Sequence, residues 1–154
     1  MKITSRQQIE RELLKRQAPK VESNFKLEDY LFKEQLDFVK DPSPYKTAVC
    51  SRRSGKTISC AAHLVHTAIS FSDINCLYIT LSRVSGKKII WKELLKLNKI
   101  YNLGARVDNT ELSLSFPNGS SIYVSGAKDQ TEIEKFRGLA LKLVYVDESQ
   151  SFKH

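Results

Sequence analysis

The sequence predicts an α/β domain, with a mostly parallel central sheet flanked by helices and an added β-hairpin. Three features carry that prediction. Two compact apolar runs, Asn75–Thr80 (NCLYIT) and Leu143–Val146 (LVYV), are bounded by polar residues and read as buried strands. Segments of helical periodicity, 56–70 and 85–101, alternate with such runs, as they do in strand–helix units. Residues 111–116 (ELSLSF) alternate polar and apolar, Pro117-Asn118-Gly119 supplies a turn and 121–125 returns, which is the pattern of a hairpin.

Length and composition bound what this domain can be. A chain of 154 residues with 41% hydrophobic and 27% charged residues suits one soluble globular domain, and its six glycines and four prolines exclude a low-complexity chain. No apolar run approaches the roughly 20 residues of a membrane span, and the N-terminus has no stretch resembling a secretion signal. Three cysteines without a C-x-x-C pair fit a reducing compartment, so a cytoplasmic protein without a membrane partner is expected. The net charge of +8 is concentrated: residues 1–20 carry six Lys or Arg against two acids, and residues 83–99 six against one. Such basic surfaces favour an anionic partner, nucleic acid in particular.

Taken in chain order, residues 5–17 read as a helix with a thin apolar stripe of Ile9, Leu13 and Leu14, hence an N-terminal helical arm over 1–20 ahead of a domain spanning 21–154. Leu27–Lys40 is helical in pattern and is stopped by Asp41-Pro42-Ser43-Pro44. A short strand is expected at Lys46–Cys50, then a polar turn at 51–55. In the helix over 56–70, Ile58, Ala62, Val65 and Ile69 mark the buried face. The strand at 75–80, the helix at 85–101 and the hairpin follow. Residues 129–136 read as a short helix, and the last strand ends on Asp147-Glu148.

Two signals sit at the carboxyl ends of predicted strands, where open α/β sheets bind ligands. The first is Cys50-Ser-Arg-Arg-Ser-Gly-Lys-Thr57, which matches the phosphate-binding pattern G-x-x-x-x-G-K-[ST] at every fixed position but the first. A tight turn there converges backbone N–H groups of Ser51, Arg52, Arg53, Ser54 and Gly55 on phosphate oxygens at a helix N-terminus. Lys56 would reach the β- and γ-phosphates of ATP, and Thr57 would set its hydroxyl on Mg²⁺. The second signal is the strand-end pair Asp147 and Glu148. Asp147 suits the metal-binding acid of a Walker B strand, and Glu148 stands where a carboxylate orients or deprotonates an attacking water. A base beside the metal-binding acid points to nucleotide hydrolysis.

With C-S-R-R-S-G-K-T, Phe136-Arg137-Gly138 and V-D-E-S in hand, the sequence resembles the large terminase subunits of tailed bacteriophages, from about residue 26 to 152. The resemblance implies the ASCE branch of P-loop ATPases, in which the phosphate-loop and Walker B strands sit apart in the sheet. It implies an ATPase motor that moves double-stranded DNA into a procapsid in the host cytoplasm, working as a homo-oligomeric ring at a portal with a small terminase subunit. Gln35 is similar in placement to a glutamine that reads the adenine edge, and is otherwise an exposed helical glutamine. Arg137 is similar to an arginine inserted into a neighbouring subunit's site, and is otherwise a surface residue capping a short helix. Arg52 and Arg53 face either the γ-phosphate or solvent. The chain stops at His154, shortly after Glu148, so no nuclease domain is expected within it. Two other readings stay open: a helicase-like ATPase of the same branch, and a nucleotide-binding or assembly module with little turnover when isolated.

Two further patterns have bland explanations beside functional ones. Lys88, Lys92, Lys96 and Lys99 fall within about 80° of one helix face, opposite Ile90, Trp91, Leu94 and Leu97. That face either meets solvent or contacts DNA or a neighbouring subunit. Cys60, His63 and His66 share a helix, but Cys60 and His66 lie about 120° apart on it and no fourth ligand is near, so they read as structural rather than zinc-binding.

Overall fold

The computed structural model describes residues 20–128 and 134–149. The predicted arm and most of the predicted 129–136 helix lie outside the described residues. A five-stranded sheet, ordered β2-β3-β4-β1-β5, organises the rest. Its strands are β1 (Asn75–Thr80), β2 (Arg106–Asp108), β3 (Ser113–Ser115), β4 (Ser121–Gly126) and β5 (Leu141–Val146). β1 pairs in parallel with both β4 and β5, whereas β3 runs antiparallel to both β2 and β4. The sheet is therefore mixed rather than mostly parallel, because the hairpin joins the same sheet and adds a strand beyond itself.

The helices are α1 (Lys33–Lys40), α2 (Lys56–Ser70), α3 (Arg83–Gly86) and α4 (Lys92–Ile100), with a π-helical turn, Lys87–Trp91, between the last two. Ser82 starts α3 by accepting a bond from the Ser85 N–H, which moves the helix start two residues ahead of the predicted one. The predicted Leu27–Lys40 helix divides into a 3₁₀ turn, Leu27–Asp29, and α1, because Phe32 is extended (φ −81°, ψ 169°). Leu27 and Leu31 are buried on one side of that break and Val39 on the other.

One expected strand is absent. Residues 46–50 pair with nothing in the sheet, and Val49 is 99% exposed. Lys46 turns back instead, donating from Nζ to the carbonyls of Phe38 (2.8 Å), Val39 (3.2 Å) and Asp41 (2.9 Å), which would otherwise be orphaned at the end of α1.

All the described helices that pack on the sheet do so on one face. Cys76 and Tyr78 of β1, Ile122 and Val124 of β4, and Leu143 and Tyr145 of β5 meet Leu64, Val65 and Ala68 of α2 and Leu94 and Leu97 of α4 in one core. On the other face Phe136 packs edge-on against Tyr123 at 5.5 Å, while Val144 and Val146 are exposed. The two-faced helical cover predicted from the sequence is thus not present among the described residues. β5 shows the consequence: its residues alternate between half-buried and exposed, as on a one-sided sheet.

Where the chain leaves β1, it crosses the end of β4 so closely that only glycine fits. A Cβ on Gly126 would stand 2.4 Å from the Arg83 nitrogen and 2.6 Å from the Ser82 carbonyl carbon. Gly126→Ala should cost about 1–3 kcal/mol by overpacking, measured by chemical denaturation; an unchanged midpoint would show that the crossing can relax.

Candidate functional site

The turn before α2 is shaped by two left-handed residues, Arg53 (φ 62°) and Gly55 (φ 77°), on either side of Ser54. Gly55 is the N-cap of α2 and offers no side chain to satisfy the helix, while its carbonyl accepts from Ser59 N–H (3.0 Å). The first amides of α2 are left facing the cleft, with no acidic residue in that turn, so the helix terminus is electropositive. Arg53, Ser54, Gly55, Lys56, Thr57 and Ile58 line a cleft of about 290 Å³. The Ser54 hydroxyl is buried in this loop with no hydrogen-bond partner among the described residues, a polar orphan of the kind a ligand oxygen satisfies.

The predicted loop residues are therefore brought together: Ser51, Arg52, Arg53 and Lys56 are exposed, and Ser54, Gly55 and Thr57 half-buried. Gln35 stands directly against them. Its Nε2 donates to the carbonyls of Gly55 (3.1 Å) and Ser54 (3.4 Å), and its Oε1 accepts from Phe32 N–H (3.3 Å).

At the end of β5 both oxygens of Asp147 are engaged. Oδ1 accepts from Glu148 N–H (3.0 Å), and Oδ2 accepts from the Tyr78 hydroxyl of the neighbouring strand. Asp147 N–H in turn continues the β1–β5 ladder onto the Ile79 carbonyl (2.8 Å). Tyr78 is fully buried, and burial together with the bond to Asp147 raises its pKa far above the usual phenol value, so it stays a donor. Glu148 is exposed and left-handed (φ 54°), an unusual conformation for a non-glycine residue that turns the chain sharply at the strand end.

The helix that follows the loop packs against β5, the strand that ends on Asp147. The Cys60 thiol, on the second turn of α2, is pushed up to about 12, first by burial and then by the nearby Asp147 charge, against a smaller opposing effect of Lys56. His63 Nδ1 lies 2.8 Å from the Tyr145 hydroxyl, and burial lowers its pKa to about 4, so it is a neutral structural residue behind the site. Arg137 is exposed, its guanidinium 2.7 Å from Glu134. Tyr78 was missed by reading the sequence: its only signal is a phenol in an apolar strand, and the register that aims it at Asp147 is not local.

Three cysteines report on this arrangement. Cys50 is exposed at the head of the loop, whereas burial raises the thiols of Cys60 and Cys76 to about 12. A thiol reagent at pH 8 should modify Cys50 alone in the folded chain and all three after denaturation; rapid modification of Cys60 would contradict the packing of α2.

Comparison with known proteins agrees with the fold. Residues 43–154 match the family model described as phage terminase large subunit. Among solved structures, the chain is similar to a large terminase from a thermophilic bacteriophage, with a TM-score of 0.55 and 21% identity over 75% of this chain and 32% of that one. It thus spans about a third of that protein's length. No curated protein gives a significant match.

Proposed function

The chain belongs to the phage terminase large-subunit family, and from that premise we propose that it is the nucleotide-hydrolysing part of a DNA-packaging motor. In this reading it is an ASCE-type P-loop ATPase that binds ATP with Mg²⁺ and couples hydrolysis to moving double-stranded DNA into a procapsid. The observation that carries the reading is that α2, which starts from a left-handed loop, packs against β5, which ends on a carboxylate held by Tyr78.

Each residue then has a physical task. The loop amides and Lys56 hold the polyphosphate, and Ser54 finds an acceptor there. Mg²⁺ takes one or two protein oxygens and completes its shell with phosphate and water, so Thr57 and Asp147 fit it without a metal cage; no cluster of three or more His, Cys, Asp or Glu exists among the described residues. When bound, the ion would neutralise charge on the transferring phosphoryl group. Tyr78 and Glu148 N–H leave Asp147 with one defined orientation. Glu148, exposed beside it, is the base that would take the proton of the attacking water. Arg137 is exposed and able to swing from Glu134 into a neighbouring subunit of a homo-oligomeric ring, and the small terminase subunit is a further expected partner. The location proposed is the host cytoplasm and, transiently, the procapsid portal. No described helix is long and apolar enough to cross a membrane.

One observation favours a second reading, a nucleotide-binding module with little turnover when isolated. The segment leading into the loop, 46–50, has no partner strand, and Arg137 acts in trans in the scheme above. An ATPase rate that climbs more steeply than protein concentration supports shared sites, and a linear rise opposes them.

Lys56→Ala should abolish nucleotide binding in calorimetry, and Glu148→Gln should retain binding while lowering turnover by about 10²–10⁴-fold. Undiminished hydrolysis in both variants would remove the site assignment. The lysine face is exposed as its periodicity requires, with Lys96 3.5 Å from Glu93. Lys92→Glu with Lys96→Glu should weaken duplex DNA binding and make what remains less sensitive to salt; unchanged DNA affinity and oligomerisation would leave that face to solvent.

A further inference from the structure

The two segments that carry the positive excess of the sequence are neighbours in the fold. In the helical segment from 83 to 100, Lys88, Lys92, Lys96 and Lys99 are exposed, while Ile90, Trp91, Leu94 and Leu97 on the other side are buried. The acid among residues 83–99, Glu93, is occupied: its Oε2 accepts from the Tyr30 hydroxyl (3.4 Å) and lies 3.5 Å from Lys96 Nζ. Asn98 is likewise tied to the Ala105 backbone through both ends of its amide. What the row turns outward is therefore a set of ammonium groups, point charges suited to phosphate oxygens.

Residues 21–31 bring the N-terminal segment to this row. Phe25 is buried and meets the Tyr101 ring, just past the end of α4, edge-on at 4.9 Å, and Tyr30 stands 6.4 Å from the same ring. Glu22, Ser23 and Asn24 share a cleft of about 540 Å³ with Ile100, Tyr101 and Asn102. Lys20 is exposed and two residues short of that cleft, within about 7 Å of chain. Residues 1–20, with six Lys or Arg against two acids, thus join the described fold at the Lys99 end of the row. Glu22 and Lys26, both exposed, offset each other at the junction.

The charge density of the partner decides what fits such a surface. Lys88 to Lys99 spans roughly 16 Å at the helical rise. A DNA duplex offers a phosphate charge for about every 1.7 Å of its axis, hence about ten over that span, whereas an extended acidic peptide offers about five at most. We propose that the lysine row and the N-terminal segment form one continuous surface that grips the phosphate backbone of duplex DNA, with Tyr30 and Lys96 masking the acid within it. This rests on the DNA-motor reading above and assigns the DNA contact to two segments joined by residues 21–31.

The test is the salt dependence of binding to a short labelled duplex, read by fluorescence anisotropy on the whole chain. Three variants join the unmodified protein: Lys88→Gln with Lys99→Gln, Arg11→Gln with Lys15→Gln and Arg16→Gln, and Glu93→Gln alone. Each lost phosphate contact lowers the slope of log affinity against log salt by about 0.9. One shared surface predicts a single isotherm whose slope falls by about 1.8 in the helix variant and by up to about 2.7 in the N-terminal one. Glu93→Gln should bind more tightly, by up to about eightfold at about 0.1 M salt, as Lys96 gains a phosphate contact. Two independent isotherms, each untouched by substitutions in the other segment, would overturn the shared surface. So would an unchanged slope in either multiple variant, or weaker binding by Glu93→Gln. A change of oligomeric state with DNA affinity unchanged would assign the row to a neighbouring subunit and overturn the proposal as well. No DNA binding by the unmodified protein, with Mg-ATP still bound in calorimetry, would instead remove the DNA partner of the reading on which the proposal rests.

Discussion

The parallel pairing of β5 with β1 is the constraint on which the candidate site depends. Its register sets Tyr78 opposite Tyr145 and Ile79 opposite Val146, and Asp147 N–H extends the ladder by one more bond to Ile79. Side chains alternate across a strand, so this register puts Tyr78, Tyr145 and Asp147 on the face that meets α2. A slip of one residue would turn Asp147 away from Tyr78 and Tyr145 away from His63 together. The hydroxyl bonds at both tyrosines therefore hold the register as much as the register holds them.

Lateral support plays the same part on the loop side. Residues 46–50, which lead into the loop, are unpaired, and Lys46 caps α1. The loop is fixed instead by the α2 ladder below it and by Gln35 beside it. Both supports run through α1 and α2, which makes the first helix part of the site although it contributes no group of the phosphate motif.

The exposed side of the sheet completes the picture. Val144 and Val146 on β5 and Val49 ahead of the loop are apolar and open to solvent, while the helix-covered face is closely packed. Burial is therefore strongest behind the site, where His63, Cys60 and Tyr78 are held uncharged, and weakest at the β5 edge. Charge follows the same division, with the lysines of the 83–100 helical segment on its outer side.

Sequence alone determined the elements whose signals are local. The run Asn75–Thr80, the extent of α2, the turn at Pro117-Asn118-Gly119 and the motif Ser54-Gly55-Lys56-Thr57 each carry their reasons within a few residues and stand where the sequence puts them, although of the face expected for α2 Ala62 and Val65 are buried, Ile69 is half-buried and Ile58 is exposed. The strand expected at 46–50 and the unbroken helix at 27–40 did not form, because apolar character licenses a strand only where a neighbour offers its edge, and Phe32 and Lys46 had better partners at α1. The contacts of Gln35 and Tyr78 were decided by tertiary structure for the same reason. Their partners, Gly55 and Asp147, are distant in the chain, and contact between them is set by how faces pack and strands register, which no short stretch of sequence encodes.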